Sequence, residues 1–325
     1  MKTYLITGVA GFIGSHLMAH LLAAGNRVRG IDNFLTGKQA NIDSVLAQNP
    51  HDAARFDFLR GDIRKPDDCE KAMQGIDVVL HHAAVGSVPW SIQEPILAHE
   101  CNVTGFLNVL EAAKNHGVKR IVYASSSAVY GDSPLSPNVE SQIGAALSPY
   151  AASKRCNELY AESYARAYSL ELVGLRYFNV FGPRQDPNGA YAAVIPKWLQ
   201  AMRQKQSCII YGNGESTRDY CYIDNVVHAN LLAASAPLQA PAPVYNIAVG
   251  AATSLSDLHK IMSEALAERA AIQVAAPTFA PPRQGDILHS RADISKAQRE
   301  LGYHAICTVA EGIQNTINFE CKNPL

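Results

Sequence analysis

Short apolar runs alternate with amphipathic stretches through the first half of the chain. The runs predict six β-strands, at residues 3–7, 27–31, 56–59, 78–81, 120–124 and 172–176. Strands that are apolar along nearly their whole length are typical of a parallel sheet, because helices cover both of its faces. We therefore predict an α/β fold built on a doubly wound parallel sheet.

Amphipathic stretches between the runs predict helices at residues 12–24, 95–116 and 149–169. The last two carry more apolar positions than one packed face requires, and in the last one Tyr160, Tyr164 and Tyr168 recur at spacings of four. Such a stripe commonly packs into a core. If the sheet covers one face of each helix, the other face can meet a second copy. We therefore predict a homodimer with a four-helix seam.

Beyond Arg176 the pattern changes to shorter elements separated by turn signals. Gly182-Pro183 and Gly212-Asn213-Gly214 are typical of turns, and residues 236–243 are rich in proline and alanine. A chain of 325 residues is long for a single core. We predict two domains, at residues 1–176 and 177–325, with a return of the chain to the sheet near residues 222–245. The second domain is the smaller and has mixed secondary structure.

The composition of the chain limits which binding partners and which cellular compartment we expect for the protein. The 28 Lys and Arg against 29 Asp and Glu form no basic stripe, so nucleic acid is not expected to bind. No apolar run reaches the roughly 20 residues of a membrane helix, and the chain enters a strand too early for a signal peptide. The seven cysteines are scattered without a Cys-x-x-Cys pair. We therefore predict no metal site and a reducing, cytoplasmic setting.

A glycine-rich turn joins the first predicted strand to the first predicted helix. Its glycines let the backbone approach a pyrophosphate, which free N–H groups and the positive end of the helix dipole would hold. Asp32 closes the second strand, where a carboxylate accepts both ribose hydroxyls and would repel a 2′-phosphate. We therefore predict that NAD rather than NADP binds to Gly8, Gly11, Phe12, Ile13, Gly14, Asp32 and Asn33.

Tyr150 and Lys154 lie four residues apart at the start of the third predicted helix. That spacing puts both side chains on one face of the helix, so the lysine ammonium would favour the ionised phenol. A serine cluster at residues 125–127 follows a predicted strand and would meet the same helix. We predict that Ser126, Tyr150 and Lys154 form a catalytic group for hydride exchange with NAD. Ser127 is the rival of Ser126 as the catalytic hydroxyl.

These motifs together resemble the extended short-chain dehydrogenase/reductase superfamily across nearly the whole chain. The resemblance implies a Rossmann-type sheet, a serine that hydrogen-bonds the substrate oxygen, a tyrosine that transfers the proton and a lysine that binds the nicotinamide ribose. It also implies further NAD contacts: Asp62 and Ile63 at the adenine, Ala83 at the ribose, and Asn102 and Tyr177 near the nicotinamide.

Members of that superfamily that eliminate water from a 4-keto sugar carry an Asp-Glu pair just after the serine. Ser127 and Ala128 stand at those places here. Without a carboxylate to act as acid and base, dehydratase chemistry is disfavoured, and reversible oxidation at one carbon remains.

The second half resembles bacterial UDP-N-acetylhexosamine 4-epimerases, which interconvert UDP-GlcNAc and UDP-GalNAc. Four segments carry the likeness: residues 84–89, 176–182, 185–198 and 212–219. The resemblance implies that residues 177–325 bind the UDP-sugar. It assigns Asn179, Arg218 and Arg283 to the diphosphate, Ala193, Val194, Trp198 and Ile210 to uracil, Asp286 to ribose, and Gly86, Ser87, Ser126, Ser127 and Tyr150 to the sugar. Ser290 would leave room for an N-acetyl group.

Two departures from close relatives, Trp90 and Ala128, leave the sugar preference open. The same architecture also serves UDP-glucose/galactose and UDP-hexuronate 4-epimerases, which remain alternatives. A catalytically silent NAD-binding regulator is the alternative from another class, and the presence of both Tyr150 and Lys154 argues against it.

Overall fold

A parallel sheet of seven strands forms the centre of the protein in its computed structural model. The structure describes residues 1–48, 50–188, 193–282 and 288–322. The strands are β1 (Thr3–Thr7), β2 (Arg27–Asp32), β3 (Phe56–Arg60), β4 (Val78–His81), β5 (Arg120–Ser126), β6 (Glu171–Tyr177), β7 (Val180–Phe181), β8 (Ile209–Tyr211), β9 (Thr217–Arg218), β10 (Cys221–Tyr222), β11 (Val244–Ile247), β12 (Thr253–Ser254), β13 (Thr278–Ala280) and β14 (His289–Ser290).

Twelve α-helices accompany these strands in the described part of the chain. They are α1 (Phe12–Ala23), α2 (Gln39–Gln48), α3 (Pro66–Met73), α4 (Val88–Gln93), α5 (Pro95–His99), α6 (Gly105–Asn115), α7 (Pro149–Tyr168), α8 (Val194–Arg203), α9 (Ile223–Ala233), α10 (Leu255–Ala270), α11 (Ser295–Leu301) and α12 (Val309–Lys322). Two 3-10 turns, Pro50–Arg55 and Ser127–Tyr130, and a π-helical turn, Glu100–Thr104, complete the helical elements.

The central sheet runs in the order β3-β2-β1-β4-β5-β6-β11. Alternate residues of its strands face opposite cores, as the pleat requires. Tyr4 and Ile6 pack with α1, α2 and α9, whereas Leu5 packs with α3, α6 and α7. The predicted doubly wound α/β fold is therefore confirmed, and each of the six predicted strands is observed. Because the strand order reverses between β1 and β4, a crevice opens at their carboxyl ends.

The elements after β6 form three small sheets, in the orders β12-β9-β14, β13-β8 and β10-β7. The chain returns to the central sheet as β11, which pairs in parallel with β6. Trp198 of α8 and Ile313 of α12 share a core with the helices on one face of the sheet. The boundary at residue 176 stays a prediction.

The single helix predicted at residues 95–116 is wrong in one respect, because the helical segment is interrupted. Between α5 and α6 lies the π-helical turn Glu100–Thr104. Within it the Asn102 amide accepts a hydrogen bond from Val85 N (2.8 Å) and donates one to Val85 O (3.1 Å). This pairing with a distant segment accompanies the interruption, and sequence periodicity contains no sign of it.

Candidate active site

The glycine turn between β1 and α1 has no room for a side chain at Gly8 or Gly14. Gly8 has a φ of +72°, and a Cβ there would lie 2.8 Å from Ala83 N. A Cβ on Gly14 would lie 2.1 Å from the carbonyl oxygen of Gly8. No side chain caps the start of α1 at Gly11, so the N–H groups of the first helical turn are available to an anion.

Asp32 lies at the end of β2 and is 8% exposed. Its carboxylate accepts hydrogen bonds from Ala10 N (2.9 Å) and Phe34 N (2.8 Å). Burial raises the pKa of this carboxyl, while the backbone hydrogen bonds oppose the shift. The two backbone donors fix the carboxylate at the mouth of the crevice, and each of its oxygens retains a lone pair for a further donor.

A cavity at the crevice brings together the residues predicted for the adenosine half of NAD. Its lining includes Gly8, Gly11, Asp32, Asn33, Asp62, Ile63 and Ala83. Asn33 Nδ2 donates to Asp62 (3.0 Å), and the Arg64 guanidinium holds the pKa of Asp62 at about 2. A turn whose glycines leave its backbone open to a ligand, beside a fixed carboxylate, fits a dinucleotide, so these residues would hold NAD.

Tyr150 and Lys154 lie on the first turns of α7. Ser148 caps the N-terminus of this helix, because its hydroxyl oxygen accepts a hydrogen bond from Ala151 N (3.1 Å). Lys154 is 3% exposed, and its Nζ donates to Ala124 O (2.8 Å) at the end of β5. Nζ lies 5.9 Å from the centroid of the Tyr150 ring. Burial lowers the pKa of Lys154 to about 8. A lysine with that pKa is still mostly charged at neutral pH.

The predicted direction of the Tyr150 pKa is wrong for the chain alone. Burial raises the pKa of this phenol, and a hydrogen bond from Ser126 only partly opposes the rise. Lys154 Nζ donates to a backbone carbonyl, and the net shift of the phenol's pKa is upward, because desolvation is the largest effect. Ser126, rather than Ser127, is the serine that meets Tyr150. Ser127 begins the following 3-10 turn.

Two residues predicted near the nicotinamide have their polar groups engaged within the protein. Besides its bonds to Val85, Asn102 Nδ2 donates to Ser153 Oγ (3.0 Å), on α7. The Tyr177 hydroxyl is bonded to His82 Nε2 (3.0 Å) and Asn230 Nδ2 (2.9 Å). The structure thus gives Asn102 a supporting position, joining the π turn to the helix that carries Tyr150.

A second cavity, of about 550 Å³, lies in the second half of the chain. Its lining includes five of the residues predicted for UDP: Asn179, Ala193, Val194, Trp198 and Arg218. Ile210 is buried and is not among the residues that line this cavity, whereas its neighbours Ile209 and Tyr211 are. Arg283 and Asp286 lie outside the described residues.

The residues predicted for the sugar lie on four separate segments, around residues 86–87, 126–127, 150 and 290. Ser290 pairs with Arg218 across β14 and β9 and is half-buried. Gly86 is exposed, with open space on its side-chain side. Ser87 caps α4 by accepting a hydrogen bond from Trp90 N (3.2 Å).

Within the described ranges no three His, Cys, Asp or Glu side chains are placed to hold a metal ion. Nor does that part of the chain hold a helix long and apolar enough to cross a bilayer.

Sequence reasoning missed a buried ion pair behind the predicted catalytic group. Arg176 on β6 meets Glu158 on α7 through two hydrogen bonds, Nε to Oε1 (2.8 Å) and Nη2 to Oε2 (2.9 Å). Ser125 Oγ also donates to Glu158 (2.7 Å), and Arg176 Nη1 donates to the Tyr130 hydroxyl (3.0 Å). The signals were an arginine in an otherwise apolar strand and a glutamate one turn after Lys154.

The chain matches the NAD dependent epimerase/dehydratase family over residues 4–248. It is 36% identical to UDP-glucose 4-epimerase of Mycolicibacterium smegmatis over 98% of both chains. Its structure resembles UDP-N-acetylglucosamine 4-epimerase from Methanobrevibacter ruminantium M1 in complex with UDP-N-acetylmuramic acid, with 37% identity, a TM-score of 0.90 and 99% and 98% of the two chains covered.

It also resembles UDP-glucuronic acid 4-epimerase from Bacillus cereus, solved with UDP-glucuronic acid and NAD, with 30% identity, a TM-score of 0.85 and 98% and 99% of the two chains covered. These likenesses confirm the resemblance drawn from the sequence. The chain belongs to the NAD dependent epimerase/dehydratase family, with NAD as its cofactor and UDP-sugar 4-epimerases among its relatives.

Proposed function

We propose that the protein interconverts UDP-GlcNAc and UDP-GalNAc by 4-epimerisation. The observation that carries the proposal is the meeting of Ser126, Tyr150 and Lys154 at the end of β5, beside the crevice fitted to NAD. The small side chain of Ser290, paired with Arg218, supports the acetylated sugars. The likeness to a UDP-N-acetylglucosamine 4-epimerase supports the same choice.

The catalytic group would move one proton at the sugar's fourth carbon. Tyr150 takes the proton of the 4-hydroxyl while Ser126 holds the same oxygen by a hydrogen bond. When bound, NAD would supply the acceptor for the hydride of carbon 4, the donor that returns it, and a positive charge on its ring. Lys154 would orient the cofactor's ribose. After the 4-keto sugar has turned its other face, carbon 4 would take the hydride back from the cofactor and its oxygen would take the proton back from Tyr150, which gives the epimer.

The diphosphate would stay anchored while the sugar turns. Arg218 lines the second cavity beside Asn179, and guanidinium offers several donors in a fixed plane to phosphate oxygens. Ala193, Val194 and Trp198 would frame the uracil. A firm grip on UDP combined with space around the sugar suits a reaction in which only the sugar moves.

The test is incubation of the purified protein, without added NADH, with each of five substrates: UDP-GlcNAc, UDP-GalNAc, UDP-glucose, UDP-galactose and UDP-glucuronate. Products are separated by chromatography. We expect interconversion of the acetylated pair with no net NADH absorbance, because each turnover restores the cofactor. Stoichiometric NADH formation would overturn the proposal in favour of a dehydrogenase.

UDP-glucose 4-epimerisation is the second candidate, supported by the 36% identity to the enzyme of Mycolicibacterium smegmatis. The same assay separates the two candidates, since faster turnover of UDP-glucose and UDP-galactose would select the second one.

The exposed apolar residues Ile92, Ile96, Leu159 and Tyr160, on α4, α5 and α7, support a homodimer seam formed by these helices.

A further inference from the structure

Asp219 is a fully buried carboxylate in the second half of the chain, with 0% of its surface exposed. It directly follows Arg218, which lines the second cavity. The hydrogen bonds that its side chain accepts come from backbone N–H groups of two separate segments. Because the side chain is enclosed, any effect of Asp219 on a substrate must pass through its neighbours.

The first segment follows β11 of the central sheet. Val249 N donates to Asp219 Oδ1 (3.0 Å), and Gly250 N donates to Oδ2 (3.1 Å). The second segment follows β14, where Ala292 N donates to Oδ2 (3.2 Å). A third contact is to the backbone, since Asn179 Nδ2 donates to the carbonyl oxygen of Asp219 (3.1 Å). One residue thus joins the end of the cofactor sheet to both strands that carry Arg218 and Ser290.

We propose that Asp219 is a positioning residue for UDP-sugar binding, which holds Arg218 and Ser290 at a fixed place relative to the central sheet. The inference rests on the proposed function, because that function assigns Arg218 to the diphosphate and Ser290 to the sugar. Asp219 sets the position of Arg218, which binds the diphosphate, and the distance of Ser290, which lies beside the sugar, from the cofactor crevice.

A carboxylate suits this role because both of its oxygens accept hydrogen bonds. Burial raises the pKa of Asp219 to about 6, and the three backbone N–H groups and Arg291 oppose the rise. An asparagine of the same shape would present an NH₂ group to at least one of those N–H donors. That donor would be left unpaired in a buried place, and the contact between the segments would loosen.

The test compares Asp219→Asn with the wild-type protein by calorimetric titration of UDP-GlcNAc, together with the NAD content of the purified protein and the values of kcat and KM. We expect binding weakened by about tenfold or more, a corresponding rise in KM, and an unchanged NAD content. The matched control is Asp77→Asn, because Asp77 accepts a backbone hydrogen bond from Thr3 N (2.7 Å) at an exposed place away from both cavities. It should leave UDP-GlcNAc binding unchanged.

The outcomes separate this inference from the proposed function. If the wild-type protein does not bind UDP-GlcNAc, the proposed function fails. If the wild type binds and Asp219→Asn binds equally well, the positioning role is overturned. A parallel loss of UDP-GlcNAc binding and NAD content would overturn it too, since a general structural role would affect both.

If Asp219→Asn does not fold, the pH dependence of UDP-GlcNAc binding is measured on the protein with Asp219 intact. The relevant pH range is the one around the pKa of Asp219, about 6. Both phosphates of UDP-GlcNAc remain ionised through this range. The ionisable groups around Asp219 are Arg218, Tyr220, Cys221, Arg291, Asp293 and Tyr303. The pKa values of Tyr220, Cys221 and Tyr303 are raised and that of Asp293 is lowered, which moves all four away from this range. His289, bonded to Thr217, is replaced in a His289→Gln background. We expect affinity to fall as the pH drops below about 6, and affinity independent of pH would overturn the role.

Discussion

At the scale of single residues, Tyr150 is a phenol whose own surroundings oppose its ionisation. Burial raises its pKa, and the nearby ammonium of Lys154 is bonded to a carbonyl oxygen. The chain therefore holds the phenol neutral, and a further positive charge is needed to make it a base at neutral pH. Bound NAD⁺ would supply that charge, so we expect Tyr150 to act as a base only when the cofactor is in place.

For Tyr150→Phe we expect turnover to fall by about 10²–10⁴-fold, because the ring still packs but no proton can be transferred. UDP-GlcNAc binding, measured by calorimetry, should be kept. Tyr160→Phe on the same helix is the control, since its ring is 39% exposed and lies on the outer face. Near-normal activity of Tyr150→Phe would remove this residue from the mechanism.

Ser290→Tyr should fill the space that an N-acetyl group would occupy. We expect kcat/KM for UDP-GlcNAc and UDP-GalNAc to fall at least about tenfold more than for the plain sugars, because steric exclusion discriminates sharply. Ser290→Ala, which keeps the space, is the control and should preserve the preference. Equal losses on both pairs of substrates would show that Ser290 does not select the sugar.

Sequence could identify the residues of the site more readily than their ionisation. The glycine turn, Asp32 and the Tyr150–Lys154 pair each follow from local spacing, because strand, turn and helix fix their relative positions. The raised pKa of Tyr150 depends on burial by distant segments, which spacing does not contain. The positioning role of Asp219 could not be predicted for the same reason, since its three hydrogen-bond donors lie far away in the sequence.

At the scale of elements, the Glu158–Arg176 pair joins α7 to β6 directly behind the proposed catalytic group. Both side chains are nearly enclosed, at 2% and 3% exposure. Hydrogen bonding to Arg176 lowers the pKa of Glu158 despite burial. The pair's contribution to stability is therefore present above the ordinary glutamate pKa, and it is lost as the pH falls through the lowered value.

Glu158→Gln should reduce the free energy of unfolding by about 3–5 kcal/mol, because it leaves the Arg176 charge buried without its partner. Urea denaturation measures the loss. The control is Glu162→Gln on the same helix, where an exposed pair with Arg166 should contribute only about 0.3–0.5 kcal/mol. A similar small effect for both substitutions would contradict a stabilising role for the buried pair.

Apolar runs predicted the strands well because a doubly covered parallel sheet makes them apolar along their length. The helix at residues 95–116 could not be predicted as three parts. Its interruption accompanies a tertiary contact, between Asn102 and Val85, that leaves the periodicity of the segment unchanged.

At the scale of the whole molecule, the apolar surface of α4, α5 and α7 predicts self-association. We expect light scattering at micromolar concentration to give twice the mass of one chain. Leu159→Asp, at a side chain that is 50% exposed, should shift the mass toward the monomer because it places a charge in the apolar seam. Ile306→Asp, similarly exposed at 52% but in the second half, is the control. A monomeric wild type would refute the dimer.

The π turn between α5 and α6 has a consequence for insertions and deletions. A π turn accommodates one more residue than the α-helical turn that would replace it. Removing one residue of Glu100–Thr104 other than Asn102 would let an ordinary α-helical turn close with α5 and α6 near their present register, because the π turn absorbs its extra residue locally. The residues within the turn would shift instead, and the Asn102 amide would lose the position from which it pairs with both backbone groups of Val85. This turn therefore accepts substitution at its exposed Thr104 but not a change of length.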